Sequence, residues 1–235
     1  MRLIGMNSLK AGDVLAMPVC TLAGKVILNA GVEITDAYVE KLKQIRINTL
    51  YIEDDRFSDV EFVQALDFKT MNRALQVIRD TYEAVQKNKP FDEYLMQEVS
   101  KSIVDYIREN KDKGVSILAN AVDDYITGHS LNVAILTALM GNKMNFNFNQ
   151  LCDLVTGALI HDLGRENSQE ECPEHTQRGF DIMRKCRGFN LHSSIVCYEH
   201  HENFNGTGYP RKIKGTAISE YTRVIRAADM YDTIL

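Results

Sequence analysis

The hydrophobic positions of the chain follow two rhythms, and the change falls near residue 55. Before that point the stretches 14–20, 22–28 and 49–52 are short β-prone runs punctuated by Gly12, Gly24 and Gly31, the pattern of strands separated by turns. Between the last two runs, Thr35 can cap a short helix through about residue 46, with Tyr38, Leu42 and Ile45 on one face. Residues 1–55 therefore read as a small α+β module.

After the charged link Glu53-Asp54-Asp55-Arg56, apolar residues recur at Val63, Leu66, Met71, Ala74, Leu75, Ile78, Tyr82 and Val85, the stripe of an amphipathic helix. Pro90 ends it. A second stripe at Leu95, Val99, Ile103 and Ile107 closes near Gly114, and a third segment passes through Ile117, Leu118, Val122 and Tyr125. Residues 56–113 thus read as a helical connector, and its long first stripe could also pair two copies of the chain in a homodimer. From residue 114 to 235 helix follows helix. The runs 131–140 and 151–160 are apolar on nearly every side, which predicts the central helices of a bundle. The expected fold is mainly α, with the small α+β module at its N-terminal end.

A composition of 45% hydrophobic and 25% charged residues over 235 positions excludes a disordered or low-complexity chain. Lys plus Arg number 27 against 32 for Asp plus Glu, a net charge of -5 with a pI near 5.7. No diffuse positive field is present to draw in duplex nucleic acid, so an anionic ligand must be held locally. No apolar run approaches the roughly 18 residues of a spanning helix, and the N-terminal stretch lacks the apolar core of a signal peptide; a cytoplasmic location is expected. The five cysteines are odd in number, widely spaced and free of any Cys-x-x-Cys pair, which argues for free thiols rather than a disulfide framework or a thiolate zinc site.

The distribution of histidine adds chemistry to this picture. His161 is followed by Asp162 at the end of the apolar run 151–160, and His200, His201 and Glu202 are consecutive. Burying so much polarity needs a compensating partner, and a metal ion is an economical one. Imidazole nitrogen and carboxylate oxygen without thiolate suit iron, manganese or zinc. His129, His161 with Asp162, His175, His200 with His201, and Asp229 lie on separate segments, so they can converge only inside a bundle. Such convergence predicts a mono- or dinuclear site of the class that activates a hydroxide nucleophile. His192 lacks such neighbours and reads as structural or surface.

In this order and spacing, His161-Asp162, His200-His201-Glu202, Asn205-Gly206-Thr207-Gly208-Tyr209-Pro210 and Ala228-Asp229 resemble the HD-GYP family of metal-dependent phosphohydrolases, over roughly residues 120–235. The resemblance implies an HD-type helical bundle at 114–235 and a bacterial signalling enzyme. Such an enzyme hydrolyses cyclic di-GMP to pGpG or GMP through a dinuclear centre that activates a hydroxide. It implies two divalent ions per chain, commonly iron or manganese, held by His129, His161, Asp162, His175, His200, His201 and Asp229. Asp162 would be shared between the ions and act in catalysis with Arg165. Arg165, Gly208, Tyr209, Pro210 and Arg211 would contact the cyclic dinucleotide, Asp232 would support a ligand from behind, and a signalling protein would be a further partner.

The chain departs from the family pattern at several points. Tyr125 stands one turn before His129, where members with a third ion carry Glu, so two ions are expected. Arg165 replaces the usual Lys after His-Asp-x-Gly; it can hold a phosphate bidentately but cannot shuttle a proton. Only 14 positions separate His161 from His175, fewer than is usual in the family, and Glu166, Glu170, Glu171 and Glu174 make the stretch acidic. The Ser and Arg residues that usually follow and contact phosphate would lie beyond Leu235. Arg211, Lys212 and Lys214, and also Arg223 and Arg226, could add local positive charge. These departures leave two alternatives: a catalytically weak domain that senses the dinucleotide or docks a partner, and an HD phosphohydrolase acting on another nucleotide.

Overall fold

A computed structural model of the chain describes residues 2–20, 26–45, 47, 49–57, 62–111, 114–116, 125–166 and 172–234. It divides into two compact units, Met1–Phe68 with Asp112–Tyr125, and Lys69–Lys111 with Ile126–Leu235.

In the first unit, strand β1 (Arg2–Gly5) pairs antiparallel with β4 (Thr49–Ile52), and β2 (Val19–Cys20) pairs antiparallel with β3 (Val26–Leu28). Helix α1 (Asp36–Gln44) begins where the Thr35 hydroxyl accepts the Tyr38 N–H at 3.4 Å, satisfying one of the amides that a helix start leaves without a partner. Ile4, Leu15, Ile34, Leu42, Leu50 and Ile52 form its core. Ile45, expected on the face of Leu42, is 43% exposed, because α1 ends at Gln44 and Ile45 caps it outside the helical turn.

A second correction concerns the stripe expected from Val63. Phe62–Gln64 is a strand, β5, paired in parallel with β6 (Gly114–Ser116), and helix α2 (Phe68–Gln86) starts only afterwards. Pairing with a segment distant in sequence outweighs the helical spacing that Val63 and Leu66 share with the apolar positions of α2. Of the expected third segment, residues 117–124 lie outside the described residues.

The second unit is a helical bundle of α2, α3 (Glu93–Glu109), α4 (Tyr125–Lys143), α5 (Phe148–Ile160), α6 (Glu174–Met183), α7 (Leu191–Glu199) and α8 (Glu220–Ile234). Nearly all of α2 and the whole of α3, read from sequence as a connector, belong to this unit. Ala74, Leu75, Ile78 and Tyr82 of α2 are buried, so the stripe that could have paired two copies faces the bundle. Two polar contacts tie these helices in: Tyr82 Oη lies 3.2 Å from Ser130 Oγ on α4, and Thr156 Oγ1 on α5 donates to Ser100 Oγ on α3 at 2.8 Å.

Helix α5 opens on reciprocal bonds between Asn147 and Gln150 at 2.9 and 3.0 Å, a capping box, and lies against α3, α7 and α8. Leu154, Val155, Ala158, Leu159 and Ile160 of α5, like Leu131, Val133, Ala134 and Ile135 of α4, are fully buried. The architecture is thus mainly α. Among the described residues no helix is long and apolar enough to cross a membrane. Cys152, Cys172, Cys186 and Cys197 are free thiols, and of these Cys197 is buried.

Candidate metal centre

Helix ends deliver the polar groups to one place. His129 comes from the first turns of α4, His161 and Asp162 from the turn that closes α5, His175 from the first turn of α6, His200 and His201 from the residues just past α7, and Asp229 from α8. All seven are buried. Among the described residues their ligand atoms fall into two groups, Asp162 with His175, His200 and His201, and His129 with His161 and Asp229, each with its atoms within 4.8 Å of one another.

The histidines are oriented by what their other nitrogen touches. His161 Nδ1 lies 2.7 Å from the Ala158 carbonyl, His175 Nδ1 2.5 Å from the Cys172 carbonyl, and His200 Nδ1 3.1 Å from the Cys197 carbonyl. A carbonyl oxygen only accepts, so each Nδ1 carries the proton and each Nε2 is left with a lone pair facing the centre. Asp162 Oδ1 stands 3.4 Å from His175 Nε2 and 3.3 Å from His200 Nε2, while its Oδ2 stands 3.6 Å from His161 Nε2. His161 Nε2 and both Asp162 oxygens are buried without a hydrogen bond. The His175 and His200 Nε2 atoms face each other at 3.1 Å. Arg165 offsets part of the Asp162 charge from one side; the lone pairs crowded on the other could hold a further cation, and the donor set of imidazole nitrogen and carboxylate oxygen fits a divalent one.

His129 is held differently, with Nδ1 2.7 Å from Asp232 Oδ2 and Nε2 3.2 Å from Asp229 Oδ1. Asp232 also accepts from Asn132 Nδ2 at 2.9 Å. Burial alone would lower the His129 pKa, but its bonds to Asp229 and Asp232 bring it up to about 9. Burial pushes His161 down to about 4, and burial together with His200 and His175 pushes His201 down. Burial would raise Asp162, yet the surrounding histidines hold it well below the usual carboxylate range.

The segment after His201 folds back on the end of α7. Gly208 is buried so closely that a Cβ there would overlap the His201 carbonyl and the Asn203 N–H, which only glycine allows. The Tyr209 ring stacks on His201 with centroids 4.6 Å apart. Arg211 donates from its backbone N–H to Glu202 at 2.6 Å and from its guanidinium to Glu199 at 2.6 Å. Gly208 and Arg211, expected as substrate contacts, thus also brace this loop, and Pro210 is exposed. Arg165 places Nε 2.7 Å from Asp162 Oδ2.

Sequence reasoning passed over two of these partners, Glu199 and Asn132. Glu199 is a buried acid at the end of α7, with nothing in its local pattern to separate it from a solvated one. Asn132 follows His129 by one helical turn, so proximity was the available signal. Arg226 had helical spacing to Asp229, and it donates to Asp229 Oδ2 at 2.9 Å. His192 is exposed and rests on the Tyr221 ring at 5.2 Å. Of the acidic stretch, Glu170 and Glu171 lie outside the described residues.

Residues 126–234 match the HD domain family. That match, over somewhat less than half of the chain, agrees with the resemblance to HD-GYP proteins read from the motifs. Among curated relatives, a 3′3′-cGAMP-specific phosphodiesterase 3 of Vibrio cholerae is 29% identical, over 50% of this chain and 28% of the relative. The cyclic di-GMP phosphodiesterase PdeB of Borreliella burgdorferi is 32% identical, over 46% of this chain and 32% of the relative. The match thus spans about a third of those relatives' own length. A solved structure described as Bd1817, an HDG"Y"P protein from Bdellovibrio bacteriovorus, shares the fold with a TM-score of 0.61 at 15% identity, over 99% of this chain and 88% of that one.

Proposed function

We propose that the chain is a metal-dependent phosphodiesterase that hydrolyses a cyclic dinucleotide, cyclic di-GMP foremost, to pGpG or GMP at a dinuclear centre. The observation that carries this reading is the position of Asp162, whose two oxygens face histidines of different donor groups. Divalent ions held by His175, His200, His201 and Asp162 on one side, and by His129, His161 and Asp229 on the other, iron or manganese as the family resemblance implies, would supply Lewis-acid charge and lower the pKa of water.

The chain's own residues orient and stabilise. Backbone carbonyls keep the Nε2 lone pairs of His161, His175 and His200 turned inward. Arg165 holds a permanent positive charge beside Asp162, where it can bind phosphate and stabilise negative charge developing at phosphorus. Tyr209 presents a half-buried ring beside His201 as a wall of the substrate site, with Gly208, Pro210 and Arg211 shaping the loop that carries it. The relatives' names divide between cyclic di-GMP and 3′3′-cGAMP, which favours a second reading with 3′3′-cGAMP as the substrate.

The test is turnover of both dinucleotides by protein purified anaerobically, with metal quantified on the same sample and Asp162→Ala as control. Hydrolysis with about two metals per chain, lost in the variant, is the expected result. Bound metal and bound dinucleotide without hydrolysis would replace the enzyme with a sensor.

A further inference from the structure

We propose that Arg178 is a positioning residue that fastens the turn carrying His161 and Asp162 to the helix carrying His175, a role that rests on the metal-site reading above. Only 14 positions separate His161 from His175, yet the Asp162 carboxylate and the His175 imidazole must be brought within 3.4 Å of each other. Two close approaches set that distance. A Cβ on Gly164 would overlap the His175 carbonyl, and a Cβ on Gly179 would lie 3.4 Å from Gly164 N. Helix α6 therefore rests with its backbone directly on the turn.

Arg178, on α6 between His175 and Gly179, grips both flanks of this contact. Its Nε donates to the Gly164 carbonyl at 3.0 Å and its guanidinium to Glu166 at 2.7 Å. On the other side it lies 3.9 Å from the Cys172 sulfur, and the Cys172 carbonyl is the acceptor that orients His175 Nδ1. The pair with Glu166 is solvent-facing, the two side chains being 36% and 77% exposed, so it contributes little by itself. The charge-assisted bond to Gly164 carries the function, because it holds the turn two residues past Asp162 against the turn of helix that contains His175.

The experiment titrates metal-free protein with Mn²⁺, reading free Mn²⁺ by electron paramagnetic resonance, in parallel with hydrogen exchange of the metal-free protein. In Arg178→Met the binding event that includes His175 weakens on the order of tenfold, the scale for groups that orient metal ligands from behind, while the other, whose donors His129 and Asp229 lie on α4 and α8, weakens clearly less. His129→Ala identifies the weakened event as the one that includes His175. Arg178→Lys, which keeps a single donor, recovers part of the loss, and Glu166→Gln leaves both events as in the wild type. The amides of 161–166 and 174–179 exchange faster in Arg178→Met. Equal weakening of both events, or none, overturns the proposal, since a general loss of stability would not select one group. If the wild type binds no Mn²⁺, the metal reading fails by itself, and unchanged exchange in Arg178→Met then overturns the fastening.

Discussion

His129 stands between two carboxylates, Asp229 and Asp232, each at hydrogen-bond distance from one of its nitrogens, whereas His175 and His200 share the single oxygen Asp162 Oδ1 and point bare nitrogens at each other. The first arrangement can balance its charge with a proton. In the second, the Nδ1 atoms are turned to backbone carbonyls and the Nε2 atoms face one shared carboxylate oxygen. The two donor groups therefore differ in how their buried charge is arranged, and the proposed metal centre makes that difference open to measurement.

The largest expected effect comes from removing the shared carboxylate. Asp162→Ala takes away the acceptor common to both sides, so bound metal and cyclic dinucleotide turnover both fall to the background of metal-free protein. His129→Ala removes a member of one group only and leaves about one ion of two. Metal analysis of the two variants side by side checks this, and equal metal loss in both would erase the distinction between the groups.

Next in size is the pH dependence of the metal-free protein. The charged form of His129 is favoured in the folded state, with a pKa raised from 6.5 to about 9, so its stabilisation is complete below 6.5 and is lost as pH rises through about 9. His161 has the opposite sign, with a pKa lowered from 6.5 to about 4. Its penalty is absent above 6.5 and grows as pH falls toward 4. Stability set by these two groups peaks near pH 6.5, and each limb is worth about 3 kcal/mol. Denaturant melts across pH should show the alkaline limb in the wild type and not in His129→Gln; an alkaline limb that survives the substitution assigns it to another group.

A smaller effect is expected from Asp232→Asn, which keeps the shape behind His129 but removes the charge. Metal affinity should fall roughly 10- to 100-fold in the group of His129, His161 and Asp229, with the group around His175 unaffected. Competition titration with a chelating dye resolves the two affinities.

Much of this comparison was legible in the amino-acid order. The seven donors were candidates from the spread of His129, His161-Asp162, His175, His200-His201 and Asp229 over separate segments and from the resemblance to the HD-GYP family, and the structure brings all seven into the two groups. The apolar runs 131–140 and 151–160 sit in α4 and α5, and Thr35 starts α1. The strand at Phe62–Gln64 was not legible, because its pairing partner lies far along the chain. Nor was the tie between Arg211 and Glu199, since a charged residue in a turn carries no mark of the acid it will meet.

By itself the sequence determined the candidate donors and the mainly helical frame that presents them, because hydrophobic period and residue adjacency are local properties of the chain. Tertiary structure alone decided how the donors divide, which oxygen of Asp162 faces which imidazole, and which nitrogen of each histidine is left bare. Those properties depend on contacts of a few ångströms between segments remote in sequence, and no local pattern records them.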